Sequence, residues 1–216
     1  EAEAQFAKMG NLTGQTIWRG NIGNVYLQRG DLNAAEAAHE RAVQLAREAN
    51  NTLELSWWFN QMVALAIVRK NWQRAELLQK EAANLAANMK QKHLDLAFVN
   101  NAAAISAGRG RTKEAESQYM QVAAAPSDDP GLALNAHSGL AALYGDRGDT
   151  AKARAQYRKT LELVQHQTDR PLNERFKLPY VSSLSRFYRQ YVDYLVRQGE
   201  TVEALRVADA SHARML

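Results

Sequence analysis

Five histidines are the side chains best suited to metal or proton chemistry in this chain, and they stand apart: His39, His93, His137, His166 and His212. No two lie three or four residues apart, so no helix face gathers a pair, and the HExxH spacing of a zinc-binding helix is missing. The absence of cysteine excludes a thiolate metal site, a disulfide and a cysteine nucleophile within these residues. Gly108-Arg109-Gly110-Arg111 is glycine-rich but lacks the lysine and hydroxyl of a phosphate loop, so it reads as a helix cap flanked by two solvated arginines. Ser, His and Asp all occur, yet no segment presents a serine at a strand-to-helix elbow. The expectation is no enzymatic activity, no metal and no cofactor.

What remains is amide chemistry. Asn21, Asn24, Asn60, Gln61, Asn100 and Asn101 recur in related places, with Ser138 at a matching position. Each carboxamide carries both an acceptor and a donor, so a column of them can pair with the backbone of an extended segment without reading its side chains. Trp57 is positioned to add an apolar anchor to that column, although with Trp58 it equally suits packing between helices.

The elements that position these residues come from an internal repeat. A glycine, four residues and an alanine opening an amphipathic run recur as Gly30/Ala35, Gly110/Ala115, Gly148/Ala153 and Gly199/Ala204, with Lys70/Ala75 in phase but without the glycine. The alanines are spaced by 40, 40, 38 and 51 residues. Thirteen residues before each alanine stand Ile22, Met62, Ala102, Leu140 and Tyr191, and twelve before stand Gly23, Val63, Ala103, Ala141 and Val192. These lie on one arc of a helix, the arc a helix buries. The anchor alanine opens the buried face of a second helix, where a small side chain permits close approach. Glycine between the two runs supplies a left-handed cap, and Asp31, Asn71, Asp149 or Glu200 after it supports the next start. Lys70 should tolerate that cap less well, at a cost of about 1 kcal/mol if it adopts positive φ. Counted from the anchors, the amide column sits fourteen and fifteen residues back, with Asn24 one turn further along the first unit, on the arc roughly opposite the buried one.

The pattern Asn21-Ile22-Gly23-Asn24-Val25-Tyr26, then Gly30-Asp31-Leu32 and Ala34-Ala35, resembles the tetratricopeptide repeat, in a longer form with a period of about 40 residues. Arg19 and His137 depart from it at a large apolar position, and Thr112, Thr150 and Thr201 replace an aromatic after the turn. The resemblance implies an all-α, right-handed α-α superhelix of about five helical hairpins, the last with an elongated first helix. It also implies that the amide column lines the inner wall of a groove for a peptide or partner domain. We expect one domain over 1–216, with units roughly at 16–52, 56–93, 96–126, 132–167 and 173–216, and residues 1–10 as the remnant of a preceding repeat helix.

Pro126-Ser127-Asp128-Asp129-Pro130-Gly131 and Thr168-Asp169-Arg170-Pro171 end the third and fourth units. From Asn173 to Gln198 one long helical pattern follows, interrupted by Pro179, which should kink it or mark a second start. Of the 17 aromatics, six (Phe176, Tyr180, Phe187, Tyr188, Tyr191 and Tyr194) lie here, and the expectation is that they pack on the fourth hairpin and cap the array. The closing run from Glu203 to Leu216 resembles the helix that precedes a CHAT domain, a caspase-like module of bacterial proteins, with Asp209 and His212 where that family shows Glu and Arg. By that resemblance the segment would regulate a protease domain lying beyond residue 216.

The 27 basic and 23 acidic residues are mixed along the chain, which suits solvated helix faces better than nucleic-acid binding. No run approaches the roughly 18 apolar residues of a membrane span, and the start lacks a signal-peptide layout. The expected setting is cytoplasmic, and the expected partner a protein or peptide, with an adjoining C-terminal domain as a further candidate. Apolar residues at the ends (Ala4, Phe6, Ala7, Leu205, Ala208 and Leu216) favour self-association.

Overall fold

The computed structural model describes residues 5–6, 8–86, 92–167 and 172–215. Ten helices follow one another there: α1 (Leu12–Gln28), α2 (Leu32–Glu48), α3 (Thr52–Val68), α4 (Trp72–Ala86), α5 (Lys92–Gly108), α6 (Thr112–Ala124), α7 (Pro130–Asp146), α8 (Thr150–Gln167), α9 (Glu174–Arg197) and α10 (Thr201–Met215). No strand occurs among the described residues, so the fold is all-α. The chain divides into two compact units, Glu1–Arg111 and Thr112–Leu216. Ala4, Ala7, the segment from Thr168 to Pro171 and Leu216, all used in the expectations above, lie outside the described residues.

The turns form as the repeat requires. Gly30, Gly110, Gly148 and Gly199 all have φ between 75° and 79°, and Lys70 takes φ 55° in the same place. Around Lys70 the Asn71 N–H donates to the Ala66 carbonyl at 2.9 Å and the Lys70 N–H to that of Ile67 at 2.9 Å, closing the last turn of α3 as the glycines close theirs. The next helix starts at once: Asp31 accepts from the Ala34 N–H at 3.1 Å, Asn71 from that of Arg74 at 3.2 Å and Asp149 from that of Lys152 at 3.1 Å.

Between these turns the apolar arcs find each other. All five anchor alanines are buried, at 0% exposure for Ala35, Ala75, Ala115 and Ala153 and 3% for Ala204. In the N-terminal unit each helix packs on its successor, and the middle first helix α3 also packs on α1 and on α5. That side-by-side packing makes α3 the centre of the unit. Its residues from Ser56 to Val63 are all buried, and its composition is apolar around most of its circumference, as a helix enclosed on all sides needs.

In the C-terminal unit α7 packs on α6, α8 and α9, and α9 on α10. Helix α9 is 24 residues long against 17 for α7, the elongated first helix the sequence leads one to expect. It passes through Pro179 without a second start, because Pro179 stands only six residues in and its missing N–H removes a single bond from the first turns. The aromatic run packs inward: Tyr157 of α8 stacks on Tyr191 at 4.5 Å between centroids and meets Tyr194 at 4.9 Å and Phe187 at 6.5 Å.

Candidate functional site

The amides expected on the open wall are more enclosed than their spacing suggests. Asn60 and Asn101 are each 8% exposed, and the Asn101 amide donates to the Asn60 carbonyl oxygen at 2.7 Å. The expectation of a freely exposed wall is corrected here for a physical reason. In the N-terminal unit the first helices of successive hairpins lie side by side, so Asn60 and Asn101, fifteen and fourteen before their anchors, face the neighbouring first helix. A carboxamide enclosed there must find a partner. The pair clips α3 to α5 across 41 residues of sequence.

Asn24 is also corrected. It lies within the α1–α2 hairpin at 2% exposure, where its carbonyl oxygen is 3.2 Å from His39 Nε2. An amide oxygen only accepts, so that imidazole nitrogen carries the proton. His39 is fully buried, stacks on Trp58 at 5.9 Å between centroids, and reaches α1 because Gly23 has no side chain: a Cβ there would sit 2.4 Å from His39 Cδ2. Gly20, on the same helix, leaves the space that Trp58 fills, since its Cβ would fall 2.2 Å from the indole. Burial pushes the His39 imidazole down to about 4, the Gly20 backbone offsetting part of the effect.

Trp57 is 4% exposed, and Ser138 of α7 spends its hydroxyl on the Leu134 carbonyl at 2.8 Å. Neither stands on an open surface. Of the six amides expected on the wall, three make no side-chain hydrogen bond with the described residues: Asn21 on α1, half-buried, Gln61 on α3 and Asn100 on α5, each of the latter two 9% exposed. The Asn100 Oδ1 atom is enclosed without any partner, a situation that costs about 1–3 kcal/mol when nothing meets it.

The C-terminal unit holds a polar group at a different phase of the repeat from the amide column. Eighteen residues before their anchors, in the phase of Trp57, stand Asn135 and Arg186. The Arg186 guanidinium donates to Asn135 Oδ1 at 3.1 Å and to Ser183 Oγ at 3.4 Å. Burial lowers the pKa of Arg186, and burial pushes the nearby Tyr119 hydroxyl up to about 12, with Arg186 pulling it the other way.

The described residues contain no cluster of three His, Cys, Asp or Glu able to hold a metal ion, and no helix long and apolar enough to cross a membrane. His137 Nδ1 lies in hydrogen-bond contact with Gln156 Oε1 at 2.7 Å.

Comparison with known proteins agrees with the repeat. A tetratricopeptide repeat model matches residues 18–52, which cover most of α1 and all of α2, and a second tetratricopeptide repeat model matches residues 134–159 in α7 and α8. No curated protein matches the chain.

Proposed function

We propose that this array of tetratricopeptide repeats is a non-catalytic protein-interaction scaffold that holds an extended peptide along the first helices of its N-terminal unit. The observation that carries this reading is the set of three unused carboxamides, one on each successive first helix: Asn21, Gln61 and Asn100. A peptide backbone offers alternating donors and acceptors, which is the complement such amides need. The neighbouring groups then divide into two roles. Asn60 and Asn101 hold α3 to α5, Asn24 holds His39, and both pairs fix the spacing at which the three unused amides stand.

The test is selection of peptides from a displayed library on the intact chain, followed by binding of a selected peptide to a Gln61→Ala/Asn100→Ala variant. The reading expects loss of at least tenfold in affinity with a nearly unchanged melting curve. Undiminished binding to the variant, or a library that yields no binder, counts against it.

The resemblance of the closing helix to the one preceding a caspase-like CHAT module supports a narrower version, in which the array recruits or restrains such a domain. Sequence downstream of Leu216 that lacks a His and Cys pair in a protease-like fold removes that version and leaves the scaffold reading intact.

A further inference from the structure

At three of the four junctions the interface between successive hairpins repeats with fixed chemistry. Six residues before Ala75, Ala115 and Ala153, at the end of a first helix, an arginine pairs with the glutamate directly after the preceding anchor, whereas at the last junction Gln198 takes that place and Arg154 pairs with Glu200 instead. Arg69 meets Glu36 at 3.1 Å, Arg109 meets Glu76 at 2.9 Å, and Arg147 meets Glu116 at 2.7 Å. Their side chains are a quarter to two-fifths exposed, so each pair is worth little in stability, about 0–1 kcal/mol. Their recurrence fixes register. The second element is a packing knob seventeen residues before the anchor: Trp58, Phe98, Ala136 and Phe187 are all buried, with Trp58 seated in the gap left by Gly20 of the hairpin before it.

The first hairpin carries both elements without their counterparts. Arg29 stands six residues before Ala35, is exposed, and makes no ion pair among the described residues. Trp18 stands seventeen before it and is 44% exposed. Ile17 beside it is 38% exposed and Val25, two turns on, 41%. An aromatic knob and a register arginine are thus presented together on one edge of α1.

The link into α1 has the geometry of a link between two hairpins. Gly10 has φ 64°, the Asn11 N–H donates to the Phe6 carbonyl at 2.9 Å, and Asn11 caps α1 by accepting from the Gly14 N–H at 2.8 Å. The link from α2 to α3 is the same: Asn50 has φ 50°, the Asn51 N–H donates to the Ala46 carbonyl at 3.0 Å, and Asn51 accepts from the Glu54 N–H at 3.1 Å. The helical turn that includes Gln5 and Phe6 therefore stands to α1 as the end of α2 stands to α3.

We infer that the α1 edge is a docking surface for another hairpin of this repeat class, joined in the same polypeptide through the Gly10–Asn11 link. That hairpin presents a glycine or other small residue opposite Trp18 and a carboxylate opposite Arg29. A second copy of this chain stacked head to tail does not fit. The residue directly after its last anchor is Leu205, 62% exposed, and fifteen before that anchor stands Arg189. These would set an apolar group against Arg29 and a cation against Trp18.

The test replaces residues 1–11 of the full chain with a copy of residues 12–51, which carries its own Gly20 and Glu36. Acrylamide quenching assigned to Trp18 by difference from a Trp18→Phe form should fall severalfold on grafting. Charge reversal of Glu36 in the grafted copy should cut that protection, and Arg29→Glu in the acceptor should restore it. A helical graft that leaves Trp18 as quenchable as before, or protection indifferent to the charge swap, overturns the inference. So does concentration-dependent dimerisation of the unaltered chain that shields Trp18. Peptide binding through Gln61 and Asn100 is read on other residues and stands or falls separately.

Discussion

Lowering the pH from 7 to 4.5 should destabilise the N-terminal unit through a single side chain, His39. In the unfolded chain the imidazole titrates near 6.5, whereas in the fold burial holds it near 4. Above pH 6.5 both states are neutral there and the group contributes no pH dependence. As the pH falls from 6.5 toward 4 the unfolded chain takes up a proton that the folded chain refuses, so stability is lost across that window. Below about 4 the loss is complete. A separation of about 2.5 pH units at about 1.4 kcal/mol each gives a total of about 3 kcal/mol. The carboxylates whose pKa values are held down by ion pairs, Glu76 and Glu116, lose their contribution only as the pH falls below about 4.5, beneath most of the His39 window.

Urea unfolding followed by tryptophan emission isolates the effect, because Trp18, Trp57, Trp58 and Trp72 all lie within Glu1–Arg111. The midpoint should drop steeply between pH 6.5 and 4.5, and a His39→Gln variant, which keeps an amide against Asn24, should be less stable at pH 7 but flat across that window. A native midpoint that stays constant, or a variant that falls in parallel with the native chain, would refute the reasoning.

Lys70→Gly should stabilise the chain by up to about 1 kcal/mol by relieving a left-handed lysine, seen as a higher urea midpoint. Asn101→Ala should cost about 1–3 kcal/mol because it strands the enclosed Asn60 amide, and adding Asn60→Ala should cost less than the sum of the single changes in a double-mutant cycle. Gly23→Ala should cost about 1–3 kcal/mol, since the new methyl meets the His39 ring, and near-ultraviolet circular dichroism should show Trp58 displaced with it.

Much of the architecture was legible because it is local and repeated. The phase of Ala35, Ala75, Ala115, Ala153 and Ala204 identifies the second helices, and the left-handed cap follows so directly from the phase that Lys70 adopts it against its own preference. The long α9 follows from a helical pattern unbroken between two turns. The candidate site was less legible. Facing residues on neighbouring first helices are about 40 apart in sequence, and helical periodicity reports which arc a residue occupies without reporting how closely the next first helix approaches it. That is why Asn60 and Asn101 read as a wet face and are in fact a bonded pair. Gly20 and Gly23 carry a sequence signal of a different kind: two glycines inside a helix cost about 1 kcal/mol each relative to alanine, which is offset when a large ring takes the space. The rings are Trp58 and His39, and only the fold names them. Asn135 and Arg186 share the phase of Trp57, so reading every phase of the repeat for polar residues would have found them.

The measurement that bears most directly on the scaffold reading is a titration of the chain with a library-selected peptide, followed by NMR of the side-chain amide protons. The account predicts that the NH2 resonances of Asn21, Gln61 and Asn100 shift together with one dissociation constant while those of the clipped Asn60–Asn101 pair stay protected. Shifts confined to the second helices, or release of the Asn60–Asn101 pair as the peptide binds, would contradict it.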